Sequence, residues 1–232
     1  MTKTCANPAL LFDSTKIISI PFLNGLSESE KSELQKHLII RDFKRNEVIL
    51  NEDDTSNYFY LILSGELKVT QISAEGKEHI IAIHKKGDFF GEMGLLDGKT
   101  TPATIVALKD CRICLITRDS FFKIIMSNTE VVNSIISMLC ARLRQAWMQI
   151  RAMSFEDAED RIRFALRELG EKFGKRDNRG LIIDFGVTHQ NIANLSKTSR
   201  ETVSRFFSRA ERAAEIEILA NKKILLKKEF LQ

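Results

Sequence analysis

THQNIANLSKTSRETVSRFFSRAE, running from Thr188 to Glu211, reads as two short amphipathic helices around a tight turn. In the first, Ile192, Ala193 and Leu195 supply the buried positions and Thr188 the N-cap. In the second, Thr198 or Ser199 caps the start, Glu201 lies in the first turn, and Val203, Phe206 and Phe207 mark the apolar face. Arg200, Glu201, Ser204, Arg205 and Arg209 lie largely away from that face. Arginine forks onto guanine O6 and N7, and a carboxylate accepts from cytosine N4, so such a helix suits a major groove. An amphipathic helical hairpin with a solvated charged face has the same pattern, and the spacing alone leaves both readings open.

The residues themselves go further. SRETVSR, Ser199 to Arg205, preceded by THQNIA, Thr188 to Ala193, resembles the helix-turn-helix of the cyclic-AMP receptor protein family. That family of bacterial transcription regulators also includes the fumarate-nitrate reduction regulators. Where members often carry glycine in the turn, this chain has Lys197, which must then adopt a left-handed conformation at modest cost.

Composition frames the reading without choosing a function. A chain of 232 residues, 44% hydrophobic and 28% charged, has the make-up of an ordinary globular protein with room for one large or two ordinary domains. The net charge of +4 is mild, but its distribution is uneven. From Thr188 onward, nine Lys/Arg (197, 200, 205, 209, 212, 222, 223, 227, 228) face five Asp/Glu (201, 211, 215, 217, 229), a modest electrostatic footprint. No apolar run reaches membrane-spanning length and the N-terminus has no basic-then-apolar segment, so a cytoplasmic protein with reduced thiols and no membrane partner is expected. Cys111 and Cys114 form a CxxC, but CRICLIT reads as a strand, whose residues three apart point to opposite faces. They are therefore read as buried small apolar residues, and no metal site is expected.

Upstream, the chain opens with an irregular arm in which Phe12, Ile17 and Ile18 can dock on the body. Ser27 and Glu30 then form a capping box for a helix ending near His37. From Ile39 to about Ile116 short strands alternate with turns: Glu47–Leu50, Tyr58–Leu63, Glu66–Ile72, His79–His84 and Cys111–Ile116. That spacing indicates an antiparallel sandwich or barrel. YFYLILSGELKV followed by EGKEHIIAIHKKGDFFGEMGLL resembles the cyclic-nucleotide-binding β-roll of the same family, with Gly65, Gly76, Gly87, Gly91 and Gly94 at its turn glycines. The resemblance implies an effector pocket at Gly91, Glu92, Met93, Thr101, Pro102 and Ala103, with Trp147 flanking it. Thr101 and Pro102 stand where the family has arginine and serine, and Ala146-Trp147 where it has a base-contacting hydroxyl residue. Loss of the bidentate guanidinium argues against cyclic AMP as the effector. Glu92 is then equally well read as a turn carboxylate. The oxygen-sensing branch carries an N-terminal cysteine cluster for an iron–sulfur centre; Cys5 alone does not supply one.

After Asp119, read as a helix cap, Phe121, Phe122, Ile124 and Ile125 close the roll. Val132, Ile136, Leu139, Leu143, Ala146, Ile150 and Met153 are spaced alternately four and three apart, the pattern of a two-stranded coiled coil or of one face packed on its own roll. Val131, Ile135 and Met138 widen the stripe, so one helix can do both, and the resemblance makes it the dimer helix. Trp147 is read as packing at the junction of roll, helix and C-terminal domain. Ala152 to Phe155 reads as a hinge, with Ser154 capping an amphipathic helix that stops at Gly174; Lys175–Gly180 reads as a polar loop and Leu181–Phe185 as a strand. Ile216–Leu219 and Ile224–Leu226 flank Ala220–Lys223, a hairpin with a basic tip.

The expected fold is therefore α+β: a jelly-roll-like β-roll of the cyclic-nucleotide-binding type with its arm (1–127), a dimerisation helix and hinge (128–153), and a winged helix-turn-helix (154–232). By the motif match Arg200, Glu201 and Arg205 read bases of a TGTGA-like palindrome. Thr188, Ser199, Thr202 and Ser204 make phosphate or supporting contacts, and the wing lysines Lys222 and Lys223 touch phosphate. The implied partners are double-stranded DNA, a second copy of the chain, RNA polymerase and a small-molecule effector. Two alternatives stay open: a haem- or redox-based gas sensor of the same family, for which no motif is seen, and a constitutive regulator without effector. No nucleophile–base pair, metal spacing or phosphate loop suggests an enzyme.

Overall fold

A computed structural model describes residues 20–155, 157–184 and 186–231. The expected docking of Phe12, Ile17 and Ile18 lies outside them. The described residues fall into two units, with divisions after Gln71, Ile80 and Arg142, so that the short segment Ile72–Ile80 groups with the C-terminal part. No single helix among the described residues is long and apolar enough to cross a membrane.

The N-terminal part begins with α1 (Glu28–Gln35), closed by the Ser27–Glu30 capping box. Eight strands follow: β1 (Leu38–Phe43), β2 (Val48–Leu50), β3 (Tyr58–Ser64), β4 (Glu66–Ile72), β5 (Glu78–Lys85), β6 (Phe89–Phe90), β7 (Thr104–Ala107) and β8 (Cys111–Thr117). They form two four-stranded sheets ordered β1-β8-β3-β6 and β2-β7-β4-β5. β1, β6 and β7 fall in the region from Ile39 to about Ile116 expected to form short strands but were not delimited from sequence, because each is short or lacks clean alternation. Between β6 and β7 lies α2 (Glu92–Asp97).

Side chains of β3 and β8 divide between two cores. Phe59, Leu61, Cys114 and Ile116 pack on one side with Phe22, Phe89 and Phe121, while Tyr60, Ile62, Cys111, Ile113 and Leu115 pack on the other with Leu50, Leu67 and Ile105. Cys111 and Cys114 thus face opposite ways, as expected, and burial pushes their thiols up to about 11 and about 12. Among the described residues no cluster of His, Cys, Asp and Glu is placed to hold a metal ion. Phe59 is the hub of the first core: its ring lies 5.0 Å from Phe89, 5.0 Å from Phe121 and 6.0 Å from Phe22.

After β8 the cap is Thr117, whose hydroxyl accepts from the Ser120 amide, and Asp119 lies inside the turn instead of capping it. The hydroxyl two residues earlier reaches the amide with the extended backbone a cap requires. Phe121, Ile124 and Ile125 are buried as expected, but Phe122 is exposed. The long helix α3 (Thr129–Phe155) follows and lays Val131 and Ile135 on the first core.

α3 runs through the expected hinge. Asp157 is the cap of α4 (Ala158–Phe173), accepting from the amides of Glu159 and Asp160, so Ser154 is not a cap and Phe155 belongs to the long helix. A carboxylate at an N-cap also favours the positive end of the helix dipole. The polar stretch after Gly174 is a strand, β9 (Gly174–Asp177), paired with β10 (Gly180–Ile183), where sequence reading placed a loop. Gly180 makes the pairing close: its φ is +155°, and a Cβ would sit 2.0 Å from the Leu226 carbonyl oxygen. Next come α5 (His189–Ser196), α6 (Arg200–Arg212), β11 (Ile216–Leu219) and β12 (Lys223–Lys227), and the sheet order is β11-β12-β10-β9.

Truncation of Phe59 to alanine removes the ring shared by three aromatic neighbours. It is expected to cost about 3–5 kcal/mol, read as a lower urea midpoint with unchanged slope.

Candidate nucleic-acid interface and ligand site

The Thr188–Glu211 stretch folds as two helices. Thr188 Oγ1 accepts from the Asn191 amide at 3.1 Å, and Asn191 Oδ1 accepts in return from the Thr188 amide at 3.1 Å, a reciprocal cap for α5. α5 buries Ile192 and Ala193 as expected; Leu195 is only half-buried, and Ser196 is buried instead, its hydroxyl donating to the Ile192 carbonyl at 2.7 Å. Lys197 ends the helix with φ +49°. α6 then starts at Ser199, whose Oγ accepts from the Thr202 amide at 3.1 Å.

α6 turns one face inward and the other out. Val203, Phe206, Phe207 and Ala210 are buried, whereas Arg200, Glu201, Arg205 and Arg209 are exposed. Its own backbone amide, then the Ser199 hydroxyl, hold Glu201 below the usual carboxylate range. Arg205 Nη2 lies 3.4 Å from Thr202 Oγ1, which is 3.1 Å from Ser199 Oγ. Ser204 is half-buried and engaged: its Oγ is 3.0 Å from His189 Nδ1, and its carbonyl accepts from Ser208 Oγ at 3.1 Å. Burial, then Arg200, hold His189 below the ordinary histidine range, against an opposing pull from Glu211. Arg209 is ion-paired with Glu159 on α4. In the β11–β12 hairpin Lys223 Nζ pairs with Asp184 at 2.9 Å; the Lys222 side chain lies outside the described residues.

Sequence reasoning missed the residues that brace this surface. Arg161 Nε donates to the Ser196 carbonyl at 3.0 Å and so ties α4 to the end of α5. Arg163 pairs with Glu215 at 2.6 Å and lies over the rings of Phe206 and Phe230, at 5.3 and 5.1 Å. At the start of β5, His79 Nδ1 is 2.8 Å from the Asn194 carbonyl, and Glu78 Oε2 accepts from Asn194 Nδ2 at 2.8 Å. Nothing in a single sequence pairs residues more than a hundred positions apart.

The roll glycines behave as turn residues at Gly65, Gly76, Gly87 and Gly91, all with positive φ, while Gly94 lies inside α2. Gly91 has no room for a side chain, since a Cβ would meet the Tyr60 ring at 2.7 Å. Glu92 follows it and is 4% exposed. Burial raises its carboxyl above the usual range, against the pull of Arg142. Arg142 Nη1 lies 3.0 Å from Glu92 Oε1, its Nη2 donates to the Phe89 carbonyl at 2.5 Å, and its guanidinium sits 4.5 Å from the Phe89 ring centre. Glu92 is thus a buried, paired carboxylate and not a free turn residue. The signal was present: Val131, Ile135 and Met138 mark one helical face, and four residues on is Arg142.

The other ligand-site candidates divide. The segment 99–103 passes close to α2, where a Cβ on Gly94 would lie 2.9 Å from the Lys99 carbonyl oxygen. Thr101 and Ala103 are buried, whereas Met93 and Pro102 are exposed. Thr101 is held by its backbone, exchanging hydrogen bonds with Asp53 and Asp54 at 2.9 Å. Trp147, expected to pack, is 62% exposed. Along the seam Val132 and Leu139 are half-buried and Ile136, Leu143, Ala146 and Ile150 exposed; the Met153 side chain is not described. The histidines serve separate partners: His37 lies by Glu33, His79 by Asn194, His84 by Asp88 and His189 by Ser204.

Replacing Lys197 by glycine relieves a left-handed side chain at the α5–α6 turn. The expected gain is about 0.5–1 kcal/mol after the added freedom of the unfolded glycine, read as a raised thermal midpoint.

Residues 40–128 match the family model of the cyclic nucleotide-binding domain, and residues 160–231 that of the Crp-like helix-turn-helix domain. The chain is 30% identical over 185 residues to the cyclic AMP receptor protein of Thermus thermophilus, covering 80% of this chain and 82% of that one. It is 26% identical over 170 residues to the global nitrogen regulator of Synechococcus elongatus, covering 72% and 77%. Among solved structures, FixK2 from Bradyrhizobium japonicum has the same fold, with a TM-score of 0.72 at 22% identity over 82% of this chain and 92% of that one. Both halves of the chain have their counterparts in these relatives, and the chain belongs to the CRP/FNR family, whose members are transcription regulators and not enzymes.

Proposed function

We propose that this regulator is a cytoplasmic homodimer that binds a palindromic operator with TGTGA-like half-sites. The observation that carries the reading is α6, closed into the core on one face and offering Arg200, Glu201 and Arg205 from its capped N-terminal half on the other. In this reading those three side chains contact base edges, and Thr188, Ser199, Thr202 and Ser204 contact phosphate or support the readers. Lys222 and Lys223 add sequence-independent affinity from the wing. The seam Val132, Ile136, Leu139, Leu143, Ala146, Ile150 and Met153 joins two copies, and a symmetric dimer on DNA calls for two recognition helices about 34 Å apart, one turn of the duplex. Residues 1–127 sense, 128–153 dimerise and 154–232 bind DNA, with RNA polymerase as a further partner.

The signal acts at Gly91–Met93, Thr101–Ala103 and Trp147, and reweights two arrangements of the long helix. The Thermus thermophilus relative is named for cyclic AMP. Here Thr101 and Pro102 occupy the positions where the family pattern calls for arginine and serine, and neither supplies a charge for a cyclic phosphate. The effector is therefore a different one, and cyclic AMP does not set DNA affinity.

Purified protein is titrated against a labelled TGTGA palindrome and a scrambled duplex at one fixed salt, with and without cyclic AMP. Tight palindrome-selective binding that ignores the nucleotide is expected. Equal binding to both duplexes means either that the half-site is wrong or that the different effector is required and missing, and strong dependence on cyclic AMP sinks the effector reading. Arg200→Ala is expected to lose about 1–3 kcal/mol on the palindrome and to relax preference at one base pair.

A further inference from the structure

Burial has no preferred direction, so it chooses which face of α6 turns inward, and directional contacts add to side-chain packing in setting the rotation of the helix. Reading a base edge demands more: productive geometry is held within about 0.5 Å and 10–20°. A turn of that size on a side chain as long as arginine moves the guanidinium by about 1–3 Å, enough to take it off a base. Directional contacts supply part of that precision.

His189 supplies such a contact. It is the first residue of α5, directly after the Thr188 cap, and half-buried. Its Nδ1 lies 3.0 Å from Ser204 Oγ on α6. Its ring packs on Phe207, with centres 4.6 Å apart and planes tilted by 36°. The two contacts fall on successive turns of one α6 face, at 204 and 207, so they resist rotation as well as sliding. Ser204 is the neighbour of Arg205 and lies three residues after Glu201, so whatever fixes Ser204 fixes both candidate readers. Arg200 and Glu211, the charged groups of α6 that act on the ring, lie at opposite ends of the helix.

We propose that His189 is a positioning residue for base reading: through Ser204 and Phe207 it sets the rotation of α6, and with it the sequence preference of Glu201 and Arg205. This rests on the reading of α6 as the recognition helix. Ser204 then acts from behind the readers, facing α5 and not a phosphate.

The test uses the full chain with four variants. His189→Phe keeps the ring on Phe207 and removes the hydrogen bond; His189→Asn restores a polar atom at the Nδ1 position without the ring. Ser204→Ala removes the other partner, and His189→Phe/Ser204→Ala removes both. Each is titrated against the palindrome and against a palindrome altered at one base pair per half-site, over a range of salt. The expected result is a tenfold or greater fall in the ratio of the two affinities for His189→Phe and Ser204→Ala. The double variant should fall no further, and His189→Asn should recover part of the loss. Two results overturn the proposal. A loss equal on both duplexes with a salt slope reduced by about one makes His189 a phosphate contact. A changed thermal midpoint with an unchanged ratio makes it a packing residue only. Backbone amide shifts of residues 200–207 in the free protein give a second readout: they are expected to move in His189→Phe and partly return in His189→Asn, and unmoved shifts overturn the proposal. Should the wild type fail to prefer the palindrome to a scramble, either the half-site is wrong or the effector is missing, and the amide shifts alone decide the role of His189: moved in His189→Phe and partly returned in His189→Asn supports it, unmoved overturns it.

Discussion

β3 and β8 have little solvent side over most of their length, and the N-terminal unit follows from that. When both faces of a strand are apolar, polarity no longer opposes a one-residue slip, so shape has to hold the register. Rings do this here. Phe59 stacks on Phe121 on one side, and Tyr60 stacks on Phe90 on the other with planes only 7° apart and centres 4.6 Å apart. The Tyr60–Phe90 and Leu61–Phe89 pairs are also the register of β6. Gly91 and Glu92 come directly after β6, so the carboxylate at the candidate ligand site hangs from an aromatic pair two residues away. A mutation that loosens those rings therefore displaces Glu92 without touching it.

In the C-terminal unit, positive charge serves two purposes that composition cannot separate. Arg163, Arg167 and Arg209 all approach the rings of Phe206 or Phe230, and Arg167 also donates to the Phe230 carbonyl at 3.0 Å. A planar guanidinium can lie over an aromatic edge of the core and keep its hydrogen bonds, which a lysine does less well. Arg209 and Lys223, counted at the outset toward a basic tail, are held in ion pairs. Within α6, exposed Arg200 and Arg205 lie in the first two turns, and exposed Arg212 lies in the last.

Local features were legible in the sequence and remote ones were not. The caps at Ser27 and Thr188 and the opposed faces of Cys111 and Cys114 follow from residue type and period, Ser199 was one of two cap candidates, and the left-handed Lys197 followed from the family resemblance; all are present. The misplaced cap at Ser154 shows where this fails. Ser154 and Asp157 are both good cap residues, and the choice between them depends on how far α3 extends, which its own residues do not announce. β9 was hidden for a related reason: Lys175, Arg176 and Asp177 look like loop residues, and pairing with β10 makes them a strand. At the ligand site the glutamate was legible and its partner was overlooked, although the α3 stripe points to it. The His189–Ser204 contact joins two residues that the spacing had assigned no common face.

The burial of Cys111 and Cys114 has a chemical consequence. Peroxides and disulfides are attacked by the thiolate, not the thiol, and burial, which pushes the two thiols up to about 11 and about 12, leaves very little thiolate of either near neutral pH. The pair also points into two separate cores, so neither sulfur can resolve an oxidised form of the other. Both residues therefore behave in the folded chain as small buried apolar side chains and not as a redox pair.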